Sequence, residues 1–250
     1  MIVISMAGMS SRFFDAGYSE PKYQLRAFGE SMFAHSIRSF ERYFDETPFL
    51  FITLEQYSAA DFVRAECDKL GIRNAKVVVL DELTRGQAET VQKGLVAAGV
   101  DDEPITIFNI DTAEPGFVQP AFVDESDGYL DVFVGTGDNW SFAKPAADGS
   151  DRVIETAEKN PISDLCSTGL YHFASSDDFL AAYQRQLEGG LEGLARGEIY
   201  VAPLYNFLIA SGKDIRYRIL ERDDVIFFGT PAEYEALLQA PHSRLDRRAQ

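Results

Sequence analysis

The sequence predicts an α/β fold: a doubly wound, mostly parallel sheet that an antiparallel or mixed subsheet extends. Three observations point there. Short apolar β-rich runs alternate with amphipathic segments over the first half, the pattern of strands joined by crossover helices. Those runs are apolar throughout rather than alternating, as in strands covered on both faces. The second half changes character, with strand-like runs that follow one another across turns.

Taken in order, Ile2–Ser5, Phe49–Leu54, Lys76–Leu80 and Ile105–Ile110 are the expected strands of the first half. Between them, Met32–Phe44, Ser58–Leu70 and Gln87–Ala98 carry apolar residues at helical spacing. Gly71 ends the second of these helices, and Asp81 or Thr84 is the expected cap of the third. Leu130–Gly135, Ser141–Lys144, Arg152–Ala157 and Leu165–Phe173 then read as strands, separated by turns such as Asp148-Gly149. Helices are expected over Ser176–Leu187 and Ala202–Ser211, and strands over Asp214–Leu220 and Val225–Phe228. A last helix, Pro231–Gln239, has proline in its first turn. No repeat or linker interrupts the chain, so one domain is expected over residues 1–240. Residues 241–250, with the basic run Arg244-Leu245-Asp246-Arg247-Arg248, are expected to form a frayed tail.

A hydrophobic content of 46% in 250 residues is ample for a core without staples. Forty acidic against 23 basic side chains give a net charge of −17. Such a chain repels nucleic acid and anionic membrane at long range, yet a local cation cluster can still hold a small polyanion. Cys67 and Cys166 stand far apart in no metal-ligand spacing, and both are expected as reduced, partly buried thiols in a cytoplasmic protein. Met1–Met6 run straight into a motif and do not read as a signal peptide, and no apolar run approaches the ~20 residues that cross a bilayer. The expectation is a soluble protein with neither nucleic acid nor membrane as partner. Dimers are common at this size, so a homo-oligomer falls within it.

The strongest chemical signal is Met6-Ala7-Gly8-Met9-Ser10-Ser11-Arg12-Phe13, followed by Pro21-Lys22. It comes directly after the first strand, where a small-residue turn lets backbone N–H groups approach phosphates. Arg12 adds a planar fork for phosphate oxygens and Lys22 a compact charge. The spacing is neither the dinucleotide fingerprint nor the P-loop. Asn109-Ile110-Asp111-Thr112 ends the fourth strand, and a carboxylate at the carboxyl end of a buried parallel strand is better placed for a ligand than for stability. His35, His172 and Trp140 are read as packing residues, Trp140 as core, and Asp101-Asp102 as a loop.

These segments resemble the signature of the sugar nucleotidyltransferases (nucleoside-diphosphate-sugar pyrophosphorylases), A-G-x-G/S-S/T-R-F followed by P-K. Ser10 stands where many members have glycine. The resemblance, which runs from Met1 to about Leu238, implies a Rossmann-like, GT-A-like sheet. It also implies that Ala7, Gly8, Ser10, Ser11 and Arg12 wrap the triphosphate, that Arg12 meets the departing pyrophosphate, and that Lys22 helps hold the α-phosphate. By the same resemblance, Gly86 and Gln87 in Arg85-Gly86-Gln87-Ala88-Glu89-Thr90 recognise the base, and Asp111 binds Mg²⁺. Glu158 accepts from acceptor hydroxyls, Lys159 grips the acceptor phosphate, and Thr168 and Gly169 line that pocket. The segments Glu198–Asn206 and Phe227–Tyr234 resemble short capsule and lipopolysaccharide members. Phe227 stands where larger members place a second metal-binding aspartate, with Asp223 or Asp224 as substitutes.

The implied reaction transfers a nucleoside monophosphate from a nucleoside triphosphate to a sugar 1-phosphate and releases pyrophosphate. The alternative is a cytidylyltransferase acting on another phosphorylated acceptor, such as phosphocholine or an amino-acid-derived phosphate. A non-catalytic nucleotide or sugar sensor is a third reading. The absence of a D-x-D site argues against a glycosyltransferase.

Overall fold

A computed structural model describes residues 1–190, 197–241 and 245. Apart from Pro241 and Leu245, the expected tail lies outside the described residues. Along the chain run β1 (Ile2–Ser5), α1 (Ser11–Asp15), β2 (Arg26–Ala27), β3 (Glu30–Ser31), α2 (Met32–Ile37), β4 (Phe49–Leu54), α3 (Ala59–Leu70), β5 (Ala75–Leu80) and α4 (Gln87–Ala98). Then come β6 (Ile105–Asn109), β7 (Thr112–Ala113), β8 (Gly128–Val134), β9 (Ser141–Pro145), β10 (Val153–Glu158) and β11 (Leu165–Phe173). The run closes with α5 (Ser176–Glu188), α6 (Tyr205–Ala210), β12 (Ile215–Leu220), β13 (Ile226–Phe227) and α7 (Pro231–Gln239). The fold is mixed α/β, with parallel and antiparallel strand pairs, as the sequence predicts.

Residues group into two compact units. The first comprises Ile4–Leu83, Asn109–Val118 and the chain from Asp223 onward; the second comprises Met1–Val3, Thr84–Phe108 and Gln119–Arg222. Within the first, strand order is β1-β4-β5, and β4 runs parallel to β5 from Phe49↔Ala75 to Leu54↔Leu80. All six residues of β4 are buried, which explains its unbroken apolar run. Gly71 closes α3 at φ 77°, a left-handed conformation that glycine adopts without a Cβ penalty. The helix expected over 32–44 is in fact two. α2, capped by the Ser31 hydroxyl on the Ala34 N–H, gives way to a 3₁₀ helix over Arg38–Tyr43 with a kink at Phe40. Phe40 there packs edge-on against Phe49 and Phe117, and Ser39 accepts the Glu114 N–H. Tertiary packing thus overrides the helical period.

In the second unit the order is β10-β9-β11-β6-β1, with β8 on β11 and β12 on β8. β11 is antiparallel to β6, β8 and β9, and all nine of its residues are buried. β12 is parallel to β8, from Ile215↔Gly128 to Leu220↔Phe133. The buried Tyr205 hydroxyl lies 2.8 Å from the Tyr129 carbonyl and 2.7 Å from that of His172, tying α6 to β8 and β11. Asp101-Asp102 serves the start of α5: Asp102 accepts from the Ser175 hydroxyl at 2.7 Å, and that bond leads in holding its carboxyl below the usual range.

Both cysteines are free and buried. Burial pushes the Cys67 thiol up to about 12. His35 and His172 are buried packing residues bonded to the Ala27 carbonyl and the Thr106 hydroxyl. Trp140 is not core. It is half-buried, donates to the Thr136 carbonyl and meets Phe133 edge-on, because its turn ends before the strand enters the interior.

Candidate active site

In the first unit, β1 runs into the loop Met6–Ser10. Ser10 takes φ 52° and ψ 26°, the left-handed region that glycine fills most readily. This accounts for serine and glycine sharing the position; serine bears a cost of about 1–2 kcal/mol. In return its hydroxyl accepts the Lys22 N–H at 3.2 Å, fixing the Pro21-Lys22 segment against the loop. The backbone N–H groups of Gly8, Met9 and Ser10 bond to no described residue. A Cβ built on Gly8 would meet nothing within 4 Å, so no atom of the described residues requires glycine there. Arg12, in α1, is exposed, and its guanidinium makes no hydrogen bond or ion pair with a described residue.

Lys22 Nζ donates to Asp111 Oδ2 at 2.5 Å, the two side chains being 21% and 25% exposed. Asp111 follows β6, and its carbonyl accepts the Phe228 N–H at 3.0 Å. That bond brings Gly229 close: a Cβ there would sit 2.8 Å from Asp111 Oδ2. The Gly-Thr-Pro segment therefore has a local reason. Gly229 leaves room for the carboxylate, and Thr230 caps α7 in a reciprocal box with Glu233. Phe227 lies in β13 opposite Thr112, while Asp223 and Asp224 sit in a 3₁₀ turn. Ser10, Lys22, Asp111 and Gly229 are thus drawn together, and the part played by Gly229 was not visible in the sequence.

In the second unit, Gly86 is the N-cap of α4 at φ 117°, with no side-chain cap. The expected caps do not act. Thr84 turns its hydroxyl to the Gly86 carbonyl and Thr90 instead, and Glu89 takes the Arg85 N–H. The missing Cβ of Gly86 admits backbone: it would lie 2.6 Å from the Ile199 carbonyl oxygen. Gln87, half-buried, opens the helix.

Glu158 ends β10, and Lys159 follows it. Lys159 has φ 53°, a left-handed conformation uncommon for a long side chain. The Glu158 carboxylate accepts from the Ser141 hydroxyl and from Lys159 Nζ at 2.8 Å. Tyr171 donates to Ser141 at 3.2 Å, and Lys159 Nζ also donates to the Tyr200 hydroxyl, 3.8 Å from that ring's centroid. Burial pushes the Tyr171 phenol up to about 12, so it stays a protonated donor. Thr168 is 2% exposed, and its hydroxyl has no partner among the described residues. Gly169, at φ 96°, sits where β11 leaves its register with β8, between Ser167 and Tyr171. Ser141 reads in the sequence only as a strand start, and Tyr171 and Tyr200 only as parts of motif segments, because strand register sets the Ser141–Tyr171 pairing.

The arrangement can do two things chemically. The first-unit group offers a cationic, N–H-rich surface beside a carboxylate, suited to a polyphosphate. The second-unit group offers hydroxyls, a carboxylate and an ammonium, suited to a hydroxylated phosphate ester. Among the described residues no helix is long and apolar enough to cross a membrane.

No family model matches the chain, and no curated protein does. Solved structures do match. The nucleoside-diphosphate-sugar pyrophosphorylase from Vibrio cholerae RC9 is 55% identical, with a TM-score of 0.93 over 96% of this chain and 100% of that one. The inositol-1-phosphate CTP transferase from T. maritima is 15% identical, with a TM-score of 0.70 over 98% of this chain and 96% of that one. The UDP-glucose pyrophosphorylase from Acinetobacter baumanii is 14% identical, with a TM-score of 0.68 over 98% and 95%. The latter two show the fold. The first shows the family: this chain belongs to the nucleoside-diphosphate-sugar pyrophosphorylases and is a nucleotidyltransferase.

Proposed function

We propose that the chain transfers a nucleoside monophosphate from a nucleoside triphosphate to a sugar 1-phosphate and releases pyrophosphate. The observation that carries this reading is the Lys22–Asp111 pair beside loop N–H groups and an Arg12 that bond to no described residue. A phosphate oxygen of the acceptor forms a bond to the α-phosphorus as the bond to the β-phosphate oxygen breaks, and pyrophosphate leaves with the electron pair. The acceptor phosphate is largely ionised near neutral pH, its second pKa being about 6, so no general base is needed. The barrier lies in bringing two polyanions together, and the protein meets it by positioning and charge neutralisation. The loop N–H groups and Arg12 hold the β- and γ-phosphates. Lys22, released from Asp111 as substrate arrives, holds the α-phosphate. Gly86 and Gln87 receive the base.

Mg²⁺ takes hard oxygen ligands, often one or two carboxylates completed by water and substrate phosphate. Asp111, partly exposed after β6, supplies one such carboxylate. Among the described residues no group of three or more His, Cys, Asp or Glu side chains converges. Asp111 would hold such an ion, which when bound would supply charge neutralisation to the phosphates.

Glu158, Ser141, Tyr171 and Thr168 supply a carboxylate and hydroxyls, which favours an acceptor rich in hydroxyls, and the Tyr200 ring that could meet a quaternary ammonium already faces the Lys159 ammonium. Lys159 holds the acceptor phosphate, and Thr168 and Gly169 flank its hydroxyls. The resemblance to capsule and lipopolysaccharide members supports a role in surface polysaccharide precursors, in the cytoplasm, where nucleoside triphosphates are made.

The test is pyrophosphate release with Mg²⁺, each nucleoside triphosphate being offered with phosphorylated sugars and, separately, with small phosphorylated alcohols. Release that requires one triphosphate together with the sugar pool is expected. Release only with the alcohols would move the acceptor to the other class, and binding without turnover would leave a sensor.

A further inference from the structure

The short segment between Ile199 and Asn206 is fastened at both ends. At one end the Ile199 N–H donates to the Arg85 carbonyl at 2.6 Å and the Ala88 N–H donates to the Ile199 carbonyl at 3.0 Å, so the backbone of residue 199 grips both sides of Gly86. The fit is close enough that any Cβ on Gly86 would collide with it. At the other end Asn206 makes a reciprocal pair with β10: its amide accepts from the Thr156 N–H and donates to the Thr156 carbonyl, both at 2.8 Å. The Thr156 hydroxyl adds a bond to the Ala202 carbonyl at 2.7 Å. Ile199 and Val201 are buried on either side of Tyr200, which leaves Tyr200 little independent movement. Its hydroxyl receives Lys159 Nζ, and its ring lies against the ammonium.

The turn before α4 and the ammonium of Lys159 are therefore linked by one braced segment, within one unit of the molecule. We propose that Tyr200 is a positioning residue for Lys159, and that the 199–206 segment makes occupation of the turn at Gly86 by a nucleotide order the Glu158–Lys159 pair. The physical basis is conformational entropy. A lysine side chain has many rotamers to lose on ordering, and a fixed phenol and carboxylate confine the ammonium before its phosphate ligand arrives. Anything that stiffens residues 85–88 stiffens residue 199, and with it the neighbouring tyrosine. The proposal rests on the functional reading above for the statement that a nucleotide occupies that turn.

Hydrogen–deuterium exchange on the full chain tests it, because the Lys159 N–H is itself bonded, to the Trp140 carbonyl at 2.8 Å, and reports local opening. The chain is examined alone and with α,β-methylene analogues of the five common nucleoside triphosphates, which bind without turnover. The tightest binder is expected to slow exchange over residues 85–90 and also over 158–160. In Tyr200→Phe, slowing at 85–90 is retained while slowing at 158–160 falls at least severalfold. Lys159→Met, which keeps the tyrosine and removes the ammonium, does the same. Protection at 85–90 with no change at 158–160 in the unaltered chain overturns the coupling and leaves the functional reading standing. Protection at 158–160 that survives both substitutions overturns the role of Tyr200. If none of the five analogues protects 85–90, the functional reading fails and the coupling falls with it.

Discussion

Lys22 Nζ and Asp111 Oδ2 lie 2.5 Å apart, joining residues 89 positions distant in sequence. Each is only partly exposed, so each charge compensates the other while no polyanion is bound. On the proposed function, phosphate arrival exchanges that partner for another. Lys22→Ala and Asp111→Ala are therefore expected to act oppositely on binding and alike on turnover. Without Lys22, affinity for nucleoside triphosphate falls. Without Asp111 in the absence of Mg²⁺, it holds or rises, because a negative charge beside the phosphates is gone. Both lower turnover by roughly a hundred- to a thousand-fold, the scale for loss of one charge-stabilising group. Titration calorimetry with EDTA, beside pyrophosphate release with Mg²⁺, checks both. Equal affinity losses in the two variants would remove Asp111 from the phosphate site.

Gly229 leads to a second expectation. A methyl group there would stand 2.8 Å from Asp111 Oδ2 and 3.2 Å from its Cγ, and a partly exposed carboxylate yields more easily than backbone. Gly229 is absent from the glycines at positive φ, so alanine suits the backbone and the perturbation is the methyl itself. Gly229→Ala should keep its melting temperature within a few degrees yet lose up to about a hundred-fold in rate, as small misplacements of positioning groups do. Full activity with an unshifted melt would mean that the carboxylate's position does not matter.

Arg12 is exposed and unpaired among the described residues, so none of them needs its charge. Arg12→Ala is expected to change stability by less than about 0.5 kcal/mol while slowing pyrophosphate release by roughly a hundred- to a thousand-fold. Chemical denaturation and steady-state rates on the same preparation separate the two. A near-normal rate would detach Arg12 from the departing group.

How far the sequence could be read differs with the range of the force involved. β1, β4, α4 and α7 begin and end where periodicity and punctuation place them, because burial on one or both faces sets their pattern. Asp111 was legible as a carboxylate at the end of an apolar strand, and Ser10 as a substitute for glycine, which its left-handed backbone explains. The kink at Phe40 was not legible, since its cause is a pocket formed with Phe49 and Phe117. The two-residue strands β2, β3, β7 and β13 are too short to show a period. Thr84 is the kind of residue that caps helices, yet the closeness of Ile199 to Gly86 decides how that helix starts. Tyr171 and Ser141 meet only because β9 and β11 pair, a fact of register rather than of local sequence.

That pairing supports a further expectation. Ser141 stands between the Tyr171 phenol and the Glu158 carboxylate, so its removal strips one donor from Glu158 and the acceptor from a buried phenol. Ser141→Ala should raise the KM for the acceptor by roughly ten-fold, matching a net hydrogen bond of about 1–1.5 kcal/mol, with little change in the KM for nucleotide. Tyr171→Phe, one bond further away, should move the same constant less. An equal rise in both substrates' constants would show a general loss of structure instead of a defect in holding the acceptor.

His172 sets the last expectation, concerning stability rather than catalysis. Burial, with a lesser push from the chain's N-terminal charge, lowers its imidazole to about 4, against 6.5 in the unfolded chain. Below pH 6.5 the unfolded chain takes up a proton that the folded chain refuses until pH falls to about 4. The contribution is therefore complete above 6.5 and is lost as pH falls through that window, by about 1.4 kcal/mol per unit. Most carboxylates titrate lower, so the interval from 6.5 to 5 belongs to imidazoles, and about 2 kcal/mol from His172 should disappear there, the variant separating it from His35 and His242. His172→Gln keeps a hydrogen-bonding group beside the Thr106 hydroxyl and removes the titration. Its urea midpoint should lie lower at pH 7 but change little between pH 6.5 and 5, while that of the unaltered chain drops. If both midpoints fall in parallel, the loss belongs to other groups, and His172 is simply a well-packed ring.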